Sequence, residues 1–354
     1  MKKNKLFNSV ADILTGLFTM DVHAEGMVAT AVVETDDNSA ADKLDYGTRE
    51  VWSKEIEYKA MPLMMFYQFA TIKTELGVEP GLTINMLTWD NLKLGGALTE
   101  LADMKTQALS NSLKQITVQE YGNAVSASEL LIRSSFLDVM QNTTTLLGRD
   151  YALVLDTELR DCALTGMNRV YASKGDGTKV AARKDLDETC KLKVATIKDC
   201  IEILATNNAP MYNGTDWICF VHPHQARDIR DDAAWINTSN YGAPTLPFTG
   251  EIGRIDNTRF IQTTLMCNGA APEDDPGYKA ELKKGAGDGG SQNKTNIYQA
   301  VIFGEAYYGL AQSLPVELRD NGVEDFGRKR SLAWYSIFGV GKLHDNYGVV
   351  IETA

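Results

Sequence analysis

The longest amphipathic pattern in the chain lies within residues 126–164. Phe136, Met140, Leu147, Tyr151, Leu155, Leu159 and Ala163 recur at steps of four, and Thr143 or Thr144 fills the one gap. Leu146, Val154 and Cys162 widen the stripe. This spacing predicts a helix over 136–164 with a single apolar face. Ser134 or Ser135 is placed to cap it, Asp138 to sit in its first turn, and Gly166 to stop it. At ~1.5 Å per residue it is a rod of roughly 45 Å, which needs something broad to lie on.

The remaining pattern alternates strands, helices and polar segments. Leu6, Phe7, Val10, Ile13, Leu14, Leu17 and Phe18 share one helical face near the N-terminus, and a polar, acidic tail runs on to about residue 45. Residues 48–70 read as a helix broken near Pro62, with Met61 to Phe69 forming an apolar patch. Extended stretches at 82–87 and 113–125 enclose about 25 mostly polar residues. Together they predict a long projecting hairpin with little core, which needs support from elsewhere. Residues 166–190 are polar and irregular. A helix is expected over 193–206, a fully buried strand over Trp217–Val221, and a helix start at Pro223. Two short strands flank the Asp256-Asn257 turn. Residues 268–296, rich in Gly, read as a surface loop or mobile tip. Apolar content returns at 297–312, and two closing strands flank Asp345-Asn346.

Composition narrows the function. The chain has 354 residues, 44% hydrophobic and 23% charged, enough for a sizeable core and two or three substructures. Its net charge of −12, with Arg328-Lys329-Arg330 as the densest basic cluster, argues against gripping nucleic acid through phosphates. Five cysteines without CxxC spacing argue against a disulfide framework or zinc ribbon and for reduced thiols. No apolar run reaches ~18 residues, so no membrane span is expected. The N-terminal lysines and His23-Ala24 resemble a signal peptide. Asn8, Ser9 and Asp12 interrupt its core, which favours the amphipathic helix.

Candidate chemistry is sparse. The run Gly285-Ala-Gly-Asp-Gly-Gly290 resembles a phosphate loop, but it follows Lys283-Lys284 rather than an apolar strand. Asp288 alone supplies too few oxygens for calcium. His222 and His224 form an HxH pair that could ligate a metal, though no third ligand can be read from the sequence. The alternative is a turn in which the two histidines cap or pack. No nucleophile elbow, zincin helix or calcium loop occurs. No catalytic residue, cofactor or metal is expected.

The order of parts resembles the major capsid proteins of tailed phages with the Hong Kong 97-type fold, and more closely the capsid-protein family of N4-like phages. The features that carry this are the Trp52 helix and the Met61-Pro62 break, Leu98-Thr99-Glu100 in the hairpin, and Val118-Gln-Glu-Tyr121-Gly122. Then come Val221-His222-Pro223, Trp235, Tyr241 and Pro247-Phe-Thr-Gly-Glu-Ile-Gly-Arg-Ile255, and finally the aromatic, Gly-rich C-terminal strands. The resemblance implies an α+β fold. Its parts would be an N-terminal arm over 1–45, a peripheral domain over 46–72 and 125–198 with spine helix 136–164, an extended E-loop over 73–124, an axial domain over 199–320, and C-terminal strands over 321–354. It implies a non-enzymatic protein that self-assembles into pentamers and hexamers of an icosahedral virion shell around double-stranded DNA, contacted weakly and without sequence specificity. Assembly would take place in the host cytoplasm, with portal, scaffold and decoration proteins as further partners. Inter-subunit contacts are expected at Leu6, Phe7, Val10, Leu14, Leu17 and Phe18 of the arm and at Trp89, Leu94, Leu98, Leu101 and Met104 of the loop. The alternatives are an encapsulin-like compartment that packages proteins, or a metal-dependent enzyme centred on His222 and His224.

Overall fold

The computed structural model describes residues 64–74, 83–89, 92–97, 106–135, 138–235, 251–286 and 292–354. All of these fall within the compact unit Ala60–Ala354. In chain order the elements are β1 (Thr71–Lys73), β2 (Thr83–Trp89), β3 (Asn111–Thr117), β4 (Gln119–Ser128), α1 (Glu129–Ser134), α2 (Val139–Leu164), β5 (Arg169–Tyr171), α3 (Val194–Thr206), β6 (Trp217–Val221), α4 (Pro223–Arg230), β7 (Glu251–Ile255), β8 (Thr258–Gln262), β9 (Tyr298–Phe303), β10 (Tyr308–Glu324), β11 (Lys329–Lys342) and β12 (Gly348–Thr353).

The centre is a six-stranded sheet in the order β5-β12-β9-β6-β8-β7. Both of its faces are covered, so its inner strands are apolar on both sides. Period-2 alternation divides them. Ile218 and Phe220 of β6, Val301 and Phe303 of β9 and Val350 of β12 face a cluster with Phe66, Leu155 and Leu159. Trp217, Cys219 and Val221, Ala300 and Ile302, and Val349 and Ile351 face the opposite cluster, with Ile197 and Leu204 of α3 and Ile229 of α4. The β7–β8 turn fits the expectation from sequence. Asp256 and Asn257 take φ of 44° and 60°, the left-handed pair that a tight hairpin turn requires.

A second sheet, β1-β10-β11-β4, carries the long β10–β11 hairpin. Helix α2 lies across both sheets, and that is the broad support its length calls for. Its N-terminal half packs Leu147 against Leu332 and Trp334, with Tyr151 edge-on to the Trp334 ring at 5.3 Å. Asp150 accepts from Trp334 Nε1 at 2.8 Å and from Asn123 Nδ2 at 2.9 Å. Its C-terminal half carries Leu155, Leu159 and Ala163 into the core beneath the six-stranded sheet.

The boundaries of this helix differ from the sequence expectation. Asp138 is the N-cap, accepting from Met140 N and Gln141 N at 3.1 and 3.0 Å. Ser128 instead caps the separate short helix α1, and Phe136 lies outside the described residues. A two-oxygen carboxylate that binds two orphan amides and meets the positive helix end outcompetes Ser134 or Ser135. Thr143, not Thr144, fills the gap in the stripe, whereas Leu146 is 52% exposed and does not widen it. The helix ends at Leu164. Gly166 follows because a Cβ there would fall 2.5 Å from the Tyr307 hydroxyl, which donates to Ala163 O at 2.8 Å.

One further expectation is corrected and another is sharpened. The stretch 113–125 is not one strand: β3 pairs with β2, while β4 leaves to pair with β11. The Gly-rich segment 268–296 keeps, over its described part, the irregular course of a surface loop, with residues 272–275 and 283–285 exposed, but it is pinned to the core. Leu282 is fully buried in the main core, and Asn268 bridges to both Tyr278 and Tyr298. Arg160, fully buried on α2, reaches across to donate to Leu265 O and Pro276 O, each at 2.7 Å. Those bonds fix the chain where composition alone suggests freedom. Residues 287–291 lie outside the described set.

Candidate functional site

The expected hairpin is present, and its two ends differ in kind. The ladder runs antiparallel from Thr83↔Thr117 to Trp89↔Asn111. At its base Ile84, Ile116 and Val118 bury against Ala311 and Leu343. Lys114 Nζ meets Asp345 Oδ2 at 3.1 Å, and Lys342 Nζ meets Asp345 Oδ1 at 2.6 Å. The lysine bonds, Lys342 first, hold the Asp345 carboxyl below its ordinary range. Toward the far end the apolar side chains lose their cover. Trp89 is 64% exposed and Leu94 99%, and Leu92, Leu109 and Leu113 are exposed as well. The outer arms are nevertheless tied to each other: Gln107 accepts from Lys93 N at 2.9 Å and donates to Lys93 O at 3.1 Å. The hairpin therefore holds a shape while offering apolar surface. Among the expected contact residues, the structure places Trp89 and Leu94 on this projection. Leu98, Leu101, Met104 and the arm residues Leu6, Phe7, Val10, Leu14, Leu17 and Phe18 lie outside the described residues.

Sequence reasoning missed a second projection. The turn joining β10 to β11 places Asp325 and Phe326 at φ of 45° and 54°, a conformation costing an L-residue about 1–2 kcal/mol each. That strained turn leaves the Phe326 side chain fully exposed. Val323 and, on the adjoining α1, Leu130 and Leu131 are exposed too, and Glu129 N bonds Arg328 O at 2.9 Å. The basic cluster expected here is matched by acids: Arg330 lies 2.5 Å from Asp320 and Arg328 3.8 Å from Asp325. The signal in the sequence was an aromatic residue inside an Asp-x-Gly turn between two charged strands.

The histidines cap and pack. His222 is the N-cap of α4: its Nδ1 accepts from His224 N at 3.2 Å, and its own N–H donates to Gln225 Oε1 at 3.2 Å, a reciprocal capping box. The His224 ring stacks on Tyr298 with centroids 4.3 Å apart and planes 4° apart. Burial pushes the His222 imidazole down to about 4 and lowers that of His224 as well. Among the described residues no group of three or more His, Cys, Asp or Glu is arranged to hold a metal ion, and all five cysteines are free. No described helix is long and apolar enough to cross a membrane.

The model of the phage capsid protein family matches residues 112–350, from the first residues of β3 to β12. The chain belongs to the phage capsid protein family. This capsid protein shares its fold with the capsid of cyanophage Pam1 at a TM-score of 0.66 and 15% identity, covering 91% of this chain and 99% of that one. The capsid of Ralstonia phage GP4 superposes with a TM-score of 0.65 at 16% identity, covering 90% and 98%. The acid-stable capsid of Helicobacter pylori bacteriophage KHP30 does so with 0.65 at 14% identity, also covering 90% and 98%. No curated protein matches in sequence. The architecture is the Hong Kong 97-type capsid fold of tailed phages, and the protein is a structural subunit of the phage capsid.

Proposed function

We propose that copies of this capsid protein form pentamers and hexamers that close an icosahedral shell around double-stranded DNA, and that the chain stands with the N4-like branch of the family. The observation that carries this reading is the β2–β3 hairpin. It is anchored at the base, shaped by Gln107, and bare of cover at Trp89, Leu92 and Leu94. A two-stranded ribbon has no reason to hold such side chains in water unless a partner receives them. Burying each against a neighbour contributes about 1.5–3 kcal/mol, and many modest interfaces multiply through avidity in a closed shell.

On this reading 73–124 is the E-loop reaching over a neighbour, with its paired part at 83–117, and 1–45 is an arm that contacts adjacent copies. Residues 46–72 and 125–198 form the peripheral domain around the spine helix, 199–320 form the axial domain near the symmetry centres, and 321–354 return to the core. The β10–β11 turn with Phe326 is a further contact between copies. The net charge of −12 suits a wall that contains DNA without gripping it. Portal, scaffold and decoration proteins complete the particle, which assembles in the host cytoplasm. Size-exclusion chromatography with negative-stain electron microscopy tests the reading. Five- and six-membered rings or shells are expected, alone or with scaffold. A protein that stays monomeric even beside its own scaffold and portal overturns it.

A further inference from the structure

Asp156 joins two distant parts of the chain. It lies on α2 and is 1% exposed. Its Oδ2 accepts from Met65 N at 3.1 Å and its Oδ1 from Tyr67 N at 3.0 Å, and the Phe66 amide between them adds to the hold. These amides open the short turn Phe66–Phe69, for which Met65 supplies no side-chain cap. A carboxylate 91 residues farther along the chain does so instead. The carbonyls of the same turn are held as well: the Tyr308 hydroxyl donates to Phe66 O at 2.7 Å and the Tyr212 hydroxyl to Phe69 O at 3.0 Å. The Phe66 and Phe69 rings pack on Phe220 with centroids 4.3 and 5.7 Å away. The chain then enters the three-residue β1 and runs on toward the β2–β3 hairpin. Met65–Phe69 is thus a joint, and Asp156 is its fastening to the spine helix.

This fastening has no cation bonded to it. Arg160, one turn along α2, directs its guanidinium to Asp161 Oδ1, Leu265 O and Pro276 O, each at 2.7 Å. The other titratable groups around the joint are Tyr308 of β10, Tyr212 beyond it, Tyr67 of the turn, and Tyr151 and Cys162 of α2. β6 and β9 present the uncharged Phe220 and Phe303. Burial pushes the Tyr308, Tyr212, Tyr151 and Cys162 groups further up from their ordinary values, so none of those four changes charge between about pH 4 and pH 7.

We propose that Asp156 is a proton-sensitive clamp on this joint, tighter in mild acid and more easily opened at neutral pH. A carboxylate shut away from water without a bonded cation is costly, and opening the joint restores its hydration. The neutral carboxyl gains nothing comparable from opening, and its carbonyl oxygen still accepts an amide. Burial is the largest influence on Asp156 and lifts it from 3.8 to about 6, against the downward pull of the three amides and of Arg160. Between those two values the closed joint binds a proton that the open joint does not. Closure therefore gains strength as pH falls through about 6 and has none of this gain above it. From pH 7 to pH 5 the open fraction is expected to fall about tenfold.

The test is hydrogen exchange on the full chain at the Met65, Phe66 and Tyr67 amides, corrected for the intrinsic pH dependence of exchange. Protection is expected to rise about tenfold from pH 7 to pH 5. Protection that stays flat, or drops as pH falls, overturns the proposal. The Phe220 amide of β6 reports opening of the whole fold. Equal protection at Phe220 and at the joint would mean that the joint opens only with the whole chain, and overturns a clamp acting on the joint. Asp156→Asn keeps a side-chain oxygen and cannot titrate, so its joint is expected to show no such rise. A rise equal to that of wild type overturns the assignment to Asp156. Should that variant fail to fold, the carboxyl 13C shift of Asp156 in the wild-type chain decides: a titration midpoint above about 5 upholds the clamp, and one below it overturns it.

Discussion

The six-stranded sheet and the β2–β3 hairpin use the same strand chemistry to opposite ends. In the sheet every residue of β6 is buried, Phe220 packs against Phe66, Phe69 and Phe303 with centroids 4.3–5.7 Å apart, and both faces are closed within one chain. In the hairpin only the base is closed, and the apolar side chains farther out face solvent. The first region makes a subunit fold. The second contributes little to that, and on the proposed function its apolar side chains are covered by other subunits. Stability of the monomer and competence to assemble should therefore be separable by mutation.

The sharpest way to break this comparison is a pair of variants. Phe220→Ala is expected to cost about 3–5 kcal/mol of monomer stability by urea unfolding, because it empties the middle of a close-packed aromatic cluster. Trp89→Ser combined with Leu94→Ser is expected to change monomer stability by no more than about 0.5 kcal/mol, since Leu94 is bare and Trp89 is mostly exposed. The same double variant is expected to abolish or strongly reduce rings and shells by electron microscopy. Should it unfold the monomer, or assemble as wild type does, the hairpin is not the separable contact element argued here.

Legibility followed the same division. The spine helix could be read because its stripe persists over seven turns, and β6 because its five successive apolar residues are too few for a helix, rich in aromatic and β-branched side chains, and bounded by turn residues. The Asp256-Asn257 turn could be read because two residues that tolerate positive φ stand between apolar runs. What escaped were features fixed by single distant partners. No local pattern announces that Arg160 will bind carbonyls more than a hundred residues away at Leu265 and Pro276, yet those bonds and Leu282 hold a segment whose composition says loop. Nor does local pattern say that the extended run leaving Thr117 changes sheets at Val118. The exposed apolar surface was half legible. Trp89 and Leu94 stood out as apolar residues in a polar loop, whereas Phe326 depended on a strained turn visible only in three dimensions.

A smaller effect probes the join between the spine helix and the sheet. The Tyr307 hydroxyl donates to Ala163 O at the helix end, where the last carbonyls lack helical partners, and the ring lies between Gly166 and Gly348 with no room for a side chain at either. Tyr307→Phe keeps the ring and removes the donor, leaving a buried carbonyl without it. A loss of about 1–2 kcal/mol is expected by chemical denaturation, with assembly of the surviving folded protein unchanged. A loss of assembly at full stability would show that this join also governs the interfaces.

An effect no larger than this, and confined to acid, decides between a capping and a ligating role for the histidine pair. In the folded chain the His222 imidazole is held neutral down to about 4, by burial first and by neighbouring His224 second, against an ordinary value of 6.5. Between those values the unfolded chain binds a proton that the folded chain refuses. The stability contributed is thus fully present above about pH 6.5 and is lost as pH falls toward 4. His222→Asn retains a side-chain acceptor for His224 N and cannot titrate. It is expected to unfold much as wild type does at pH 7 and to lose less stability on acidification, by on the order of 1–2 kcal/mol, the ring's partial exposure trimming the full linkage value. Parallel urea midpoints at pH 7 and pH 4.5 measure this. If the two proteins fall together, the titration of His222 does not shape the acid response. If His222→Asn instead strips a bound metal from the purified protein, the capping role is the wrong description of this turn.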